Sequence, residues 1–292
     1  MKIAISGSTG FIGKQLTGYL LQHGHEITVI SRNDFTATNN QLAKLIISAD
    51  VILNLAGSSV LCRWNQQNKQ QILSSRVDTT RLLVDAVCKN STVHLPEIFI
   101  NASAIGIYQE SGIHDELSTA LNTDFLAAVC KAWENETAPL KQLNLRTCIV
   151  RTGIVIGTTG GSIAKMVPLF KLGLGGKIGS GKQSFSFIHI GDYCRAILHL
   201  IENSQSSGIY NLVGPEPTTN ESFTKILAGY LHRPAFFTVP EFALRLFYGQ
   251  AAELLTKGVN VRPARLLNEG FQFDYPDISS ALLELVQIKL SN

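Results

Sequence analysis

The sequence lacks any Cys-x-x-Cys pair: its five cysteines, at 62, 88, 130, 148 and 194, lie far apart and are odd in number. That excludes a disulfide framework and a cysteine-rich zinc site, and leaves reduced thiols as the expectation. Charge is scarce too, at 16% of 292 residues, with a formal net charge of +3 and no basic run. A nucleic-acid surface is therefore not expected. No apolar run approaches the length of a membrane span. The chain opens directly on the strand-like Lys2-Ile-Ala-Ile-Ser6, so a cleavable leader is not expected and the cytoplasm is the expected location. Repeats and low-complexity tracts are missing as well.

What is present is a hydrophobic content of 45%, enough for one large domain or one domain plus an appendage. Short β-branched runs alternate with helical stretches, as in parallel βαβ units. Strands are expected at Ile3–Ser6, Glu26–Ser31, Val51–Asn54, Glu97–Ala102 and Arg146–Thr152, and helices at Ile12–Gln22, Gln66–Lys89 and Thr123–Gln142. The fold expected is α/β: a Rossmann-type, doubly wound, mainly parallel sheet. The stretch from Arg32 to Asp50 is too short for a full strand-helix unit, so the sheet should be abbreviated there. The expected division is a cofactor domain at 1–238, its substrate region mostly at 157–238, and a small C-terminal domain at 239–292 with a helical run at Phe242–Thr256.

Gly7-Ser-Thr-Gly-Phe-Ile-Gly13 follows a strand and opens a helix, the context a dinucleotide fingerprint requires. Gly7 permits the tight turn, Gly10 lets backbone approach a diphosphate and Gly13 brings the helix close. The helix start, with Thr9, Phe11 and Ile12, offers amide donors and a favourable dipole. The second strand ends in Ser31-Arg32 where NAD sites carry a carboxylate, which favours a 2′-phosphate and hence NADP(H), with NAD(H) as the alternative. Leu55, Ala56 and Gly57 follow the third strand, where the cofactor should cross the sheet. Arg76, inside the long helix, either reaches back to the cofactor or stands on the surface.

Together with Arg63-Trp64, Ser103-Ala-Ile-Gly106, Val129-Cys-Lys-Ala-Trp-Glu134, Arg151-Thr-Gly-Ile-Val-Ile-Gly157 and Gly270-Phe-Gln-Phe-Asp-Tyr-Pro276, these segments resemble the atypical, extended short-chain dehydrogenase/reductases of the nucleotide-sugar epimerase type. More narrowly, they resemble the subfamily that carries a C-terminal domain of unknown function. The resemblance implies cofactor contacts at Ser31, Arg32, Leu55, Ala56, Arg76 and Ile154, and a nucleotide-sugar or related carbonyl or hydroxyl substrate.

Competent members of that superfamily use a tyrosine with a lysine four residues later for proton transfer. No such pair occurs in this sequence; the corresponding helix offers Phe125 or Leu126, then Cys130, with Lys131 one step off. Ser103 is either the remaining half of a proton relay or a strand-end cap. Tyr108 is the nearest other phenol. His189 with Asp192 reads either as a base pair or as a helix cap, the cap for Asp192 being the simpler account. Three functions stay open: an NADP(H)-dependent epimerase or oxidoreductase on a small molecule; a cofactor-binding sensor or scaffold; and, by resemblance alone, a cell-division-linked regulator. A homodimer is compatible with each.

Overall fold

The computed structural model describes residues 1–36, 40–158 and 160–290, with backbone only at 162, 165 and 285–290. Six parallel strands form the central sheet: β1 Lys2–Ser6, β2 Glu26–Ile30, β3 Val51–Asn54, β4 Ile98–Ala104, β5 Arg146–Thr152 and β6 Gly208–Leu212. Their order across the sheet is β6-β5-β4-β3-β1-β2. The chain reverses direction of winding between β1 and β3, and the carboxyl ends of those two strands therefore border a crevice. Among the described residues, a 3-10 segment, Arg32–Phe35, and a short helix, Gln41–Ile47, lie between β2 and β3, so the sheet ends at β2 as the length of this stretch requires.

Every residue of β3 is buried, and β1 and β4 are nearly so, because helices cover both faces. The long helix Gln66–Asn90 is started by the Asn65 side chain, which accepts from the Asn68 amide. It buries Ile72, Thr80, Leu83, Val84 and Val87, the one-face spacing of an amphipathic helix. Asp124 caps the next helix, Phe125–Asn135, by accepting from the Ala127 amide. The expected single helix Thr123–Gln142 is corrected: it ends at Asn135, and a 3-10 segment follows at Ala138–Leu143. Pro139, near the start of that segment, has no amide to continue an α-helical ladder. The expected helical run Phe242–Thr256 is likewise broken, into Glu241–Tyr248 and Glu253–Thr256, at Gly249 with φ of 60°.

The C-terminal stretch is stitched to the sheet. Leu266 and Phe271 enter the main core, each contributing about 2 kcal/mol by burial. The Glu269 carboxylate accepts from His199 Nε2, Asn203 Nδ2, Ser206 Oγ and Tyr210 Oη at 2.6–3.1 Å. The two-residue strand Asn260–Val261 pairs in parallel with Ile113–His114, and this carries the preceding helix Glu253–Thr256 and residues 257–259 to the carboxyl ends of the sheet.

Candidate functional site

A cleft of about 570 Å³ opens above the carboxyl ends of β1, β3, β4 and β5. One end is the glycine turn. Gly7 has φ of 79°, and a Cβ there would stand 2.6 Å from the Leu55 carbonyl oxygen; one on Gly13 would stand 2.2 Å from the Gly7 oxygen. Only glycine lets turn, helix and neighbouring loop meet so closely. Helix Phe11–Gln22 begins at Gly10 with no side-chain cap, leaving its first amides directed outward as an anion cradle. Gly7, Gly10, Phe11, Ile12 and Gly13 line the cleft, whereas Thr9 is exposed on the rim.

Beneath the crevice lies a buried polar network that the sequence reading missed. Ser6 Oγ donates to Asn54 Oδ1 at 2.6 Å, and Asn54 Nδ2 donates to Thr80 Oγ1 and Asn101 Oδ1 at 2.7 and 2.8 Å. Trp133 Nε1 donates to the same Thr80 oxygen at 2.8 Å. The signal was available: Asn54 and Asn101 interrupt strands that are otherwise apolar, and buried amides require partners. This network fixes Leu55, Ala56 and Gly57, all of which line the cleft.

Arg76 is not a surface residue. Its guanidinium lies against Gly57, donates to the carbonyls of Ile72 and Ser58 at 3.1 and 3.0 Å, and covers the Trp133 ring at 5.3 Å. Burial lowers its pKa, and among the described residues no carboxylate pairs with it. A cation so placed on a cleft wall suits an anionic ligand. Ser31 and Arg32 are exposed beyond β2 and do not line the cleft. The Ser31 hydroxyl donates to Asp34 Oδ2 at 2.6 Å, in a reciprocal cap with the Asp34 side chain.

At mid-cleft, Ser103 Oγ donates to Glu134 Oε1 at 2.6 Å. Arg151 grips that carboxylate through Nε and Nη2, at 2.8 and 2.7 Å. Ser103 is thus part of a buried network rather than a strand-end cap. Tyr108 is fully buried, and its phenol donates to Asn211 Oδ1 at 2.9 Å. Helix Phe125–Asn135 turns Leu126 and Cys130 into the cleft, four residues apart, while Phe125 packs on Trp64 and Lys131 is exposed. Burial pushes the Cys130 thiol up to about 11, so it stays protonated at neutral pH. Ile154 lines the same stretch.

The far end is built by segments that sequence reasoning did not join. Lys257 Nζ bridges Glu110 Oε1 at 2.9 Å and Glu253 Oε2 at 3.1 Å, and all three residues line the cleft with Ser184, Ser186 and Asp124. Glu253 and Lys257 are four residues apart, but no sequence spacing relates either to Glu110; the pairing of Asn260–Val261 with Ile113–His114 brings them together.

His189 and Asp192 do not form a base pair at the cleft. His189 is the N-cap of helix Ile190–Glu202, its Nδ1 accepting from the Gly191 amide, and its Nε2 lies 2.6 Å from Glu284 Oε2. Asp192 is not the cap: its buried carboxylate accepts from the Asp274 and Tyr275 amides, each at 2.9 Å. Among the described residues no cluster of three His, Cys, Asp or Glu side chains forms a metal site, and no helix is long and apolar enough to cross a membrane.

Residues 239–285 match a domain of unknown function, DUF1731. The epimerase family protein SDR39U1 of Mus musculus is 38% identical over 98% of this chain and 100% of its own length. The epimerase family protein YfhF of Bacillus subtilis is 34% identical over 98% of each. A crystal structure of human SDR39U1 with NADPH superposes with a TM-score of 0.88 at 33% identity, covering 98% of this chain and 99% of that one. Residues 3–213 match the NAD dependent epimerase/dehydratase family, and the chain belongs to that family.

Proposed function

We propose that the protein is an NADP(H)-dependent oxidoreductase of the epimerase type, acting on a hydroxyl or carbonyl carbon of a small molecule without a tyrosine-lysine pair. The observation that carries the reading is one continuous cleft with an uncapped glycine-turn helix and, at the same end, a half-buried Arg76 that has no carboxylate partner among the described residues, with a polar pocket at the other end. The human relative crystallised with NADPH supports that cofactor.

The residues fit the group. Glycines 7, 10 and 13 with the first helical amides would take the diphosphate, Arg76 an anionic or ribose oxygen, Arg32 the 2′-phosphate, and Leu55, Ala56, Gly57 and Ile154 the apolar flanks. Ser31, its hydroxyl given to Asp34, would serve that end through the cap that orients Arg32. When bound, the nicotinamide supplies or accepts hydride. Proton movement falls to the chain. Ser103 Oγ would take a proton from a substrate hydroxyl while passing its own to Glu134 Oε1, with Arg151 holding that carboxylate in place.

A second reading, cofactor binding without turnover, is favoured by one observation: Leu126 and Cys130 occupy the helix face turned to the cleft, and the thiol is a weak acid there. Fluorescence titration with NADPH, followed by a panel of carbonyls with NADPH and of alcohols with NADP+, separates the two. The enzyme reading expects saturable NADPH binding and cofactor oxidation or reduction that falls at least tenfold in Ser103→Ala. Saturable binding with no turnover across the panel leaves the second reading standing, and no binding sinks both.

A further inference from the structure

The two ends of the cleft carry opposite charge. The glycine-turn end has helix amides and the Arg76 guanidinium, with no carboxylate partner for that cation among the described residues. The far end has three carboxylates, from Glu110, Asp124 and Glu253, and one ammonium, from Lys257. That ammonium is already engaged by two of the carboxylates, at 2.9 and 3.1 Å. Asp124 stands at the same wall, accepting from the Ala127 amide and from Asn122 Nδ2. Among the described lining residues no arginine faces this end.

A nucleotide sugar brings a diphosphate, and a diphosphate needs cations or free amides. Here it would have to strip Lys257 from both partners and then lie beside three like charges. A hydroxyl-bearing ligand meets the reverse situation, since carboxylates accept hydrogen bonds from hydroxyls and Ser184 and Ser186 add further polar atoms. We infer that the far end of the cleft selects a small hydroxylated substrate carrying no phosphate or other anionic group, with Glu110, Glu253 and Lys257 as the specificity-determining set. The inference rests on the reading of the cleft as a cofactor and substrate site. It sets this chain apart from enzymes that take nucleotide sugars.

The test uses NADPH-saturated protein, with saturation verified by fluorescence, and UDP-glucose as the probe in calorimetry. Wild-type protein should bind UDP-glucose more weakly than about 1 mM. The double variant Glu110→Gln/Glu253→Gln releases Lys257 and should bind it at least about tenfold more tightly, a gain that Lys257→Ala then removes. Glu110→Gln alone, at a half-exposed side chain, gives the same readout in smaller measure should the double variant fail to fold. Wild-type binding in the micromolar range overturns the inference, and so does a charge-neutralised variant that binds UDP-glucose no better. A chain that takes up no NADPH fails at the earlier titration, and then the proposed function falls and this inference with it.

Discussion

The glycine-turn end of the cleft and its far end differ in how the chain builds them. The first comes from neighbouring βα units: the turn after β1, the loop after β3 and the start of the long helix, all within the first 76 residues. The second joins residues 110 and 124, 184 and 186, and 253 and 257, held in place by a two-residue strand pairing and by the Ser186 hydroxyl, which donates to the Val259 carbonyl. Backbone geometry defines the first and side-chain charge the second. Substitutions at the first should therefore act through sterics and buried polarity, and at the second through ionisation.

The largest effect should come from filling the glycine turn. A Cβ at position 13 would stand 2.2 Å from the Gly7 oxygen, so Gly13→Val must displace either the turn or the helix. NADPH affinity should fall by at least about a thousandfold in protein that circular dichroism shows to be folded, because backbone shifts at such a site cost several kcal/mol. Retained binding would break the comparison at its root. Next is the floor of the crevice. Asn54→Ala removes the side chain shared by Ser6, Thr80 and Asn101, and unsatisfied buried groups should lower stability by about 3 kcal/mol in urea unfolding. Arg76→Ala should weaken NADPH binding by about 10- to 100-fold with little loss of stability, an effect that shrinks as salt rises.

The two ends also differ in how much could be read before the fold was known. The parallel sheet, its early termination at β2 and the glycine turn were legible, because each rests on local spacing: strand, turn and helix within a few residues. The helix ending at Asn135 was not, since Pro139 outweighs an apolar periodicity that runs on past it. Asp192 was read as a local cap, yet its carboxylate clasps amides at 274 and 275, a long-range partner that spacing cannot reveal. Lys257 was missed for a related reason: its spacing from Glu253 marks only a local pair, and β-pairing alone carries it to Glu110. Ser103 was read as following the fourth strand, whereas it lies within β4, and its hydrogen bond depends on Glu134 from another helix.

The anchoring of the C-terminal stretch to the sheet can be sharpened by pH. Burial pushes the Glu269 carboxyl up, but hydrogen bonds from Tyr210, Ser206 and His199 outweigh it and leave the pKa below the ordinary value. A carboxylate whose pKa is depressed on folding stabilises the fold above its unfolded pKa, near 4.3 for glutamate, and loses that contribution as pH falls through the folded value. Glu269→Gln should therefore cost about 1 to 2 kcal/mol at pH 7, a figure held down by the carboxylate's partial exposure, and should flatten the acid limb of the stability curve. Chemical denaturation at pH 7 and at pH 3.5 checks both parts; equal pH dependence in the two proteins would detach Glu269 from the anchoring role.

The smallest effect belongs to Arg32, and its size is informative. Exposed beyond β2 and outside the cleft lining, it can contribute only a solvent-screened contact to a 2′-phosphate, whereas Arg76 acts from a half-buried position on the cleft wall. Arg32→Ala should reduce the preference for NADPH over NADH by about fivefold at low salt and by less at high salt, with NADH affinity itself unchanged. Paired titrations of the two cofactors read this directly. A drop in affinity for both would mean that Arg32 acts on the shared part of the dinucleotide through the Ser31–Asp34 cap. Discrimination would then lie elsewhere on the rim, and the contrast between a geometric end and a charged end would gain a third, exposed region with rules of its own.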